Sequence, residues 1–347
     1  MITIAPHPLI EFAIQIFQAA GASKQSATRV ATSLVSANLV GHDSHGIIRV
    51  VQYLGTIDAG NLDPTAEPVI TKDVGAITVV DAQRAFGQVA AEYAMQISVD
   101  KAKTHGLAAT TLTESNHVGR LGEWVEMAAD ETMIGLAYCN GSRPGGRVVP
   151  FGGIEPRLGT NPLAAAVPVG GQPPIIIDFA TSVVAEGKVR VARNVGKPIP
   201  EGYILSPDGQ PSTRPQDLYE GGSLLPAAGY KGYGLALLAD LLGGVLSGIG
   251  APALPDYSRF SNGVLFIVLS IEIFRSTDEF LAESATLCNQ LKATTPAPDV
   301  DAVLIPGEPE RLSAAKRRVA GIPLDEMTWG QLVEAGMRFG IPAPNVS

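Results

Sequence analysis

The sequence predicts a mixed fold, α/β or α+β, in which strands alternate with helices. A β-rich run at 76–81 is followed by helical spacing of apolar residues at about 87–104, and a second run at 107–113 by a helix at about 121–130. Such alternation is typical of a sheet covered by helices. The length of 347 residues, 46% of them hydrophobic, allows one large domain or two to three smaller ones around a substantial core.

The other elements follow from the same patterns. Apolar residues at helical spacing predict helices at 8–21 and 24–40, the second between Ser23 as N-cap and Gly41 as stop. In the later part of the chain, the same patterns predict a buried strand within 175–182, a long irregular segment at 194–228, an apolar helix at 235–246 and a strand at 263–269. Three helices follow: one at 277–292, one that begins after Glu310, and one that begins near Thr328, its predicted cap.

Composition excludes several classes of partner. The net charge is −9 and no long basic run occurs, which argues against nucleic acid and an anionic membrane surface. The apolar stretch at 263–274 is too short to span a bilayer, and no signal peptide is expected. Cys139 and Cys288 form neither a disulfide framework nor a Cys-rich metal site, so a reducing cytoplasm is the simplest location.

Residues 41–49 concentrate polar chemistry directly after a helix. His45 can carry a proton near neutral pH, and Arg49, four residues later, can present its planar fork to a carboxylate. Together they predict an acid–base group beside an anchor for an acidic substrate. The alternative is that Asp43 or Ser44 caps a helix and His45 is merely packed.

Two further polar side chains end predicted strands. His117 follows the strand at 107–113 and is placed to face a cleft, unless it only bonds to local backbone. Asp178 ends the strand that contains three isoleucines, where it faces a ligand or caps a helix starting near Ser182.

Three further segments contain candidate anion contacts. Arg143 and Arg147 lie in a Gly-rich loop and can meet phosphate or carboxylate, although solvated arginines are more usual, as for Lys188. Lys231, flanked by glycines at a helix start, is a stronger candidate for anion binding than these residues. Free backbone amides, the helix dipole and the lysine ammonium converge there. It is not a Walker A loop.

Standard motifs are missing from the sequence. There is no Gly-x-Gly-x-x-Gly of the Rossmann type, no His-Glu-x-x-His or Cys cluster for a metal, and no Gly-x-Ser-x-Gly elbow. No metal site is therefore expected. The residues alone predict an enzyme whose His, Arg and Lys side chains act on a small anionic compound.

Seven short motifs follow one another along the chain. They are Ser44-His45-Gly46 with Arg49, Asn116-His117-x-Gly119, Pro150-Phe-Gly-Gly153, Gly159-Thr-Asn-Pro162, Asp178-Phe-Ala-Thr-Ser182, Lys231-Gly-Tyr-Gly234 and Pro306-Gly-Glu-Pro309. Taken in this order, they resemble the motifs of the malate/L-lactate dehydrogenase family of the non-Rossmann type, which includes ureidoglycolate, sulfolactate and diketogulonate oxidoreductases and cyclic imine reductases. The match covers nearly the whole chain, and its specificity lies in the order of the motifs.

The resemblance implies a domain organisation. It implies an NAD(P)-binding domain on a mostly antiparallel sheet, a helical substrate domain and a homodimer with active sites near the interface. Residues 1–60 would form the N-terminal helical part of the substrate domain, 61–310 the sheet domain with its irregular insertion at 194–228, and 311–347 the C-terminal helices that pack back.

The resemblance also implies roles for residues. His45, next to Ser44, would exchange the proton at the substrate's C2 oxygen, Arg49 would clamp its carboxylate, and His117 would be the second candidate base. NAD or NADP would be held by residues of three segments: Asp178, Phe179 and Ala180; Lys231 and Gly232; and Gly307, Glu308 and Pro309.

The expected function is NAD(P)-dependent interconversion of a small 2-hydroxy acid and its 2-oxo acid. One alternative is reduction of a cyclic imine carboxylate, and another is an inactive relative that only binds a nucleotide. Imine reductases of the family tend to have an acidic residue where this chain has Lys188, which favours the hydroxy acid. Two other positions depart from the family pattern: Ser206 stands where many members have Asp, and Tyr230 where others often have His.

Overall fold

The computed structural model describes residues 2–141, 143–194, 196–255, 257–258 and 261–345. Helices and strands alternate through most of it, as predicted. The helices are α1 (Pro6–Ala19), α2 (Lys24–Leu39), α3 (Arg49–Asp58), α4 (Gly87–His105), α5 (Leu121–Asp130), α6 (Glu186–Asn194), α7 (Tyr230–Ala239), α8 (Thr277–Lys292), α9 (Glu308–Ala320) and α10 (Glu326–Arg338). The strands are β1 (Ile2–Ile4), β2 (Val69–Val74), β3 (Ile77–Asp81), β4 (Leu107–Ser115), β5 (Met133–Cys139), β6 (Leu163–Val169), β7 (Gln172–Phe179), β8 (Ile204–Leu205), β9 (Pro211–Ser212), β10 (Ser223–Leu224), β11 (Asn262–Ser270) and β12 (Ile322–Leu324).

A seven-stranded sheet forms the centre of the molecule, in the order β2-β3-β4-β11-β5-β6-β7. The β3–β4 pairing is parallel and the other five described pairings are antiparallel, which confirms the predicted mixed fold with a mostly antiparallel sheet. Helices α4 and α5 cover one face through a core that includes the fully buried Trp124, Met95 and Phe266. The apolar run in β11 is buried because this strand lies at the middle of the sheet.

A second core joins the two ends of the described chain. Helices α1, α2, α3 and α10 pack around Phe17, Leu34 and Phe86. Strand β1 pairs antiparallel with β12, with Ile2 opposite Leu324. Both three-residue strands are absent from the predictions, because segments this short carry little periodic signal.

The segment predicted to be irregular, 194–228, contains a small sheet of its own. Strands β8, β9 and β10 form it in the order β10-β8-β9. Ile204 of β8 and Leu224 of β10 share a core with Val189 of α6 and with Val148. The turn residues 207–209, Pro-Asp-Gly, connect β8 to β9.

Two predicted helix starts need correction. The cap of α10 is Asp325, whose carboxylate accepts a hydrogen bond from the Thr328 amide at 2.9 Å, so Thr328 lies inside the helix. The apolar helix predicted from residue 235 starts earlier, at Tyr230, and passes at Asp240–Val245 into a π-helical turn. Lys231 therefore lies in the first turn of α7, as the glycines around it suggest. Among the described residues, no helix combines the length and apolar character needed to cross a bilayer.

The π-helical turn contains a buried acid. Asp240 is 3% exposed, and neither of its carboxylate oxygens has a hydrogen-bond partner among the described residues. Burial raises the pKa of this carboxyl from 3.8 to about 7. The folded chain therefore keeps this proton over a pH range in which an unfolded chain releases it.

We expect Asp240→Asn to weaken the pH dependence of stability. Between pH 4 and 7 the unfolded parent ionises this carboxyl while the folded parent does not, so its free energy of unfolding falls as the pH rises. In urea denaturation, the free energy of unfolding of the variant minus that of the parent should increase by about 2 kcal/mol from pH 5 to pH 8. The exposed Asp301→Asn is the control, and equal pH dependence in D240N and the parent would contradict the assignment.

Candidate active site

The segment 41–49 is held in a tight turn by one buried amide. Asn38 is 1% exposed; its Oδ1 accepts a hydrogen bond from the Ile47 amide at 2.7 Å, and its Nδ2 donates to Asp43 Oδ1 at 2.7 Å. A Cβ on Gly46 would overlap the Asn38 side chain, so only glycine fits there. Arg317 of α9 donates to both carboxylate oxygens of Asp43.

This turn overrules the alternative in which Asp43 or Ser44 caps a helix. Residues Asp43–His45 form a single 3-10 turn, and α3 begins only at Arg49, without a side-chain cap. His45 and Arg49 are therefore not on one continuous helix. They are joined through Ser44 instead, because Arg49 Nε donates to the Ser44 carbonyl at 2.6 Å and Ser44 Oγ lies 3.0 Å from His45 Nδ1.

The two imidazoles predicted to be functional lie together. The rings of His45 and His117 are stacked, with centroids 5.4 Å apart and planes at 20°. His117 follows β4, and the N-terminus of α4 packs against its backbone so closely that a Cβ on Gly87 would overlap its carbonyl. Segments about 70 positions apart in sequence thus bring two imidazole rings into contact.

A short chain of hydrogen bonds orients His117. Gln88 Nε2 donates to Tyr53 Oη at 2.7 Å, and Tyr53 Oη lies 2.7 Å from His117 Nδ1. The Tyr53 hydroxyl has one proton and two acceptors within reach, His117 Nδ1 at 2.7 Å and the His117 carbonyl at 3.4 Å. The shorter contact favours donation to Nδ1, which puts the proton of the neutral imidazole on Nε2. The partner of His117 is therefore a tyrosine on α3, not local backbone as the alternative held.

Both imidazoles are neutral at physiological pH. Burial, helped by the positive charge of Arg49, lowers the pKa of His45 to about 3. Burial and the same guanidinium hold the pKa of His117 well below its usual range. A neutral imidazole can accept a proton, and an anion placed at Arg49 would offset the charge that holds both pKa values down.

Asp178 lies at the end of β7, as predicted, but it does not cap a helix near Ser182. Its Oδ2 accepts a hydrogen bond from the Gly122 amide at 2.7 Å, at the start of α5, whereas α6 begins only at Glu186. Burial raises the pKa of this carboxyl, and the Gly122 hydrogen bond opposes that shift.

Arg120 is a residue that the sequence analysis missed. It is 5% exposed, its Nε has no hydrogen-bond partner among the described residues, and its charge lowers the pKa of both His45 and Asp178. The guanidinium therefore acts on both His45 and the carboxylate of β7. Its place directly after the motif with His117 and Gly119 is the signal that could have indicated it.

The other predicted cofactor residues lie at the end of β7, on the first turn of α7 and at the start of α9, and no described contact joins them to the imidazoles. Phe179 is 43% exposed and Ala180 half-buried beside it. Lys231 is exposed on the first turn of α7, and Gly232 sits where a Cβ would overlap the Ala227 carbonyl.

The turn at Gly307, Glu308 and Pro309 begins α9. Gly307 has φ of 96°, a left-handed conformation that favours glycine, and packs against Ile176 of β7. Glu308 accepts hydrogen bonds from the Ile305 amide and from Lys292, so its carboxylate is engaged within the turn. Pro309 is exposed, while the next residue, Glu310, lies 3.5 Å from His42.

A stacked pair of neutral imidazoles beside an arginine is an arrangement that can move a proton on a small anion, as an enzyme site would. The sequence matches the malate/L-lactate dehydrogenase family over residues 4–333. The chain belongs to this family, which confirms the resemblance drawn from the motifs.

Individual relatives agree over nearly the full length. Hydroxycarboxylate dehydrogenase B of Escherichia coli strain K12 is 37% identical over 342 residues, 96% of this chain and 93% of the relative. A putative malate/lactate dehydrogenase structure from E. coli superposes with a TM-score of 0.92 at 36% identity, covering 98% and 96% of the two chains. The structure of delta1-piperideine-2-carboxylate reductase from Pseudomonas syringae pvar. tomato superposes with a TM-score of 0.84 at 31% identity, covering 96% and 99%.

We expect Tyr53→Phe to release His117 from its single tautomer. The variant keeps the ring, which packs against Phe17 and Phe86, but leaves Gln88 Nε2 and His117 Nδ1 without their partner. The loss should cost about 1–2 kcal/mol of stability. Nitrogen chemical shifts of His117 should move from one tautomer toward a mixture, whereas unchanged shifts would refute the proton placement; Tyr93→Phe, on the exposed face of α4, is the control.

Proposed function

We propose that this enzyme interconverts a small 2-hydroxy acid and its 2-oxo acid with NAD or NADP. The observation that carries the proposal is the stacked His45–His117 pair beside Arg49, in a chain that belongs to the malate/L-lactate dehydrogenase family. The reaction needs a base for the hydroxyl proton, a cation for the carboxylate and an ordered site that positions C2.

The geometry of three side chains supports a role for each of them. Arg49 holds the substrate carboxylate, with its Nε fixed by the Ser44 carbonyl. His45, neutral in the free enzyme, takes the proton from the C2 hydroxyl in the oxidative direction. His117, which carries its proton on Nε2, donates a hydrogen bond to the same oxygen, and Ser44 orients His45 through Nδ1.

The residues around the site fit a dinucleotide. A buried Arg120 Nε without a partner, the exposed ammonium of Lys231 at a helix start and the exposed ring of Phe179 offer charge and apolar contact. We assign Asp178 to Ala180, Lys231, Gly232 and the Gly307–Pro309 turn to holding it, with Glu308 shaping the turn. When bound, the nicotinamide accepts or supplies the hydride.

We also propose that the chain divides into the substrate and dinucleotide parts expected from its sequence. Residues 1–60, together with 311–347, would supply His45 and Arg49, and residues 61–310 would supply His117 and the dinucleotide contacts. The separate cores of the N-terminal helices and of the sheet support this division. A cytoplasmic location is proposed on the two buried free cysteines.

We expect His45→Ala to reduce turnover by at least about 100-fold, because general acid–base catalysis by a positioned side chain contributes that much. The assay follows NADH and NADPH consumption at the nicotinamide absorbance with a panel of 2-oxo acids. His105→Ala, at the exposed end of α4, is the control. Full activity of H45A toward every accepted oxo acid would contradict the role of His45.

The same assay distinguishes the proposed function from a second candidate, reduction of a cyclic imine. The similarity to a piperideine carboxylate reductase makes a cyclic imine the competing substrate. Turnover that requires both an oxo acid and an amine, or a preformed cyclic imine, would replace the hydroxy acid assignment.

We further propose that the enzyme is a homodimer through α7 and the π-helical turn. This segment exposes a row of large apolar side chains: Leu237, Leu238, Leu241, Val245 and Leu246 are 39–59% exposed. A contiguous apolar patch on a soluble enzyme typically marks an interface. A second copy related by a two-fold axis would present the same patch to it.

We expect Leu241→Glu to shift the enzyme toward monomers in sedimentation velocity experiments, because an ionised carboxylate in an apolar interface is left unpaired. Leu287→Glu, at the exposed face of α8, is the control with similar exposure. A parent that sediments as a monomer, or an unchanged L241E dimer, would refute this interface.

A further inference from the structure

One face of helix α9 contacts the segment 41–49, here called the active-site turn. Glu310, Ser313 and Arg317 follow one another at spacings of three and four residues, so their side chains lie along the same side of α9. At the N-terminal end of this row, Glu310 Oε1 lies 3.5 Å from His42 Nε2. The other two side chains bind the end of α2 and the turn itself.

Ser313 and Arg317 bind carbonyl groups at the end of α2. The last carbonyl groups of a helix lack partners within it. Ser313 Oγ donates a hydrogen bond to the Leu39 carbonyl at 3.0 Å. Arg317 Nη1 donates to the Asn38 carbonyl at 2.5 Å, where its positive charge also suits the negative end of the helix dipole. Helix α9 is therefore attached at the point where the active-site turn begins.

The Arg317 guanidinium also reaches into the active-site turn. Its Nη1 and Nη2 donate to the two carboxylate oxygens of Asp43, at 2.6 and 3.0 Å. The oxygen with the shorter contact, Oδ1, accepts a second hydrogen bond from Asn38 Nδ2. Asn38 Oδ1 in turn accepts the hydrogen bond of the Ile47 amide. The bidentate contact therefore continues into the buried side chain that shapes the turn.

The N-terminal end of α9 is attached to β7, the strand that ends in the predicted dinucleotide contacts. The Pro306 carbonyl accepts a hydrogen bond from the Ile176 amide at 3.1 Å. Arg311 Nη1 donates to the Pro174 carbonyl at 3.0 Å. A single helix of 13 residues thus connects the strand assigned to the dinucleotide with the turn assigned to the substrate.

The pair of Arg317 and Asp43 is better suited to fixing a position than to stabilising the fold. The two side chains are 20% and 49% exposed, and ion pairs with this much access to solvent contribute little to the free energy of unfolding. Two parallel hydrogen bonds between a guanidinium and a carboxylate nevertheless fix the relative orientation of the two groups. Their effect should therefore appear in catalysis before it appears in stability.

We propose that Arg317 is a positioning residue for the reaction. Through Asp43 it holds the active-site turn in a fixed place relative to the dinucleotide contacts at the start of α9. His45 and Arg49 are the side chains whose placement depends on this contact. The inference rests on the proposed function, which assigns the turn to the oxo acid and the start of α9 to the dinucleotide.

The test measures the two binding events separately in full-length Arg317→Gln. Its kcat/KM for the best 2-oxo acid of the parent should fall at least about tenfold, because a small displacement of reacting groups lowers the rate steeply. The dissociation constant of NADH or NADPH, from nicotinamide fluorescence, and the melting temperature should change little. Arg318→Gln, at an exposed position of the same helix, is the matched control and should keep the parental kcat/KM.

A double-mutant cycle with Asp43→Asn tests whether Arg317 acts through this carboxylate. Because both changes remove the same contact, kcat/KM in the double variant should be no lower than in the weaker single variant. Additive losses would overturn the proposal, as would a parental kcat/KM in R317Q. Weaker dinucleotide binding with an unchanged KM for the oxo acid would assign Arg317 to the dinucleotide instead.

Arg317→Lys provides the test if R317Q does not fold. Lysine keeps the positive charge but lacks the planar fork, so kcat/KM should still fall below the parental value. A parental value in R317K would overturn the proposal.

Binding of oxamate, an unreactive analogue of a 2-oxo acid, keeps the positioning role testable apart from turnover. In the presence of NADH, R317Q should bind oxamate at least about tenfold more weakly than the parent, because the turn that carries Arg49 is displaced. Turnover of no oxo acid by the parent would refute the proposed function. Oxamate binding that is equal in R317Q and the parent would refute the positioning role alone.

Discussion

The hydrogen bond between the Tyr53 hydroxyl and His117 Nδ1 joins the helical core to the central sheet at the candidate active site. Tyr53 belongs to the helical core, to which residues from both ends of the described chain contribute, whereas His117 directly follows β4, a strand of the central sheet. Gln88 of α4 donates a hydrogen bond to the same Tyr53 hydroxyl. The orientation of the His117 ring therefore depends on α3 and α4 as well as on its own segment after β4. The proton on that ring is thus set by the contact between the two cores.

The other imidazole depends on a different constraint, the fit of Asn38 against Gly46. The Asn38 side-chain amide accepts the hydrogen bond of the Ile47 backbone amide in this turn. Gly46 has no Cβ, which lets the Asn38 side chain pack against its backbone. His45 closes the 3-10 turn of this segment and Arg49 begins the helix that follows it. Their separation is therefore set by a buried polar side chain that itself makes no contact with the imidazoles, as far as the structure describes it.

Much of the fold could be predicted from the sequence, because long helices and buried strands are strongly periodic; α8 begins and ends where its pattern predicts. The candidate residues His45, His117 and Arg49 were found from their chemistry and the order of motifs. Tyr53, Asn38 and Arg120 were not, since a tyrosine within an amphipathic helix or an asparagine near a helix end gives no sign of its distant partner. Two interpretations of capping residues were wrong for a related reason, namely Thr328 as cap of α10 and the alternative of Asp43 or Ser44 as a helix cap. Several Ser, Thr and Asp residues near each helix start can accept the hydrogen bond of a free helical amide, and the sequence alone does not choose among them.

The pairing of β1 with β12 has a consequence for synthesis in the cell. The strand at residues 2–4 emerges from the ribosome long before its partner at 322–324, so the helical core around Phe17 is still incomplete while the central sheet is being made. The strands of that sheet, in contrast, are complete by residue 270. Nascent chains should therefore expose the side of the helical core that β12 and α10 later cover, and a chaperone that binds early can shield that apolar surface.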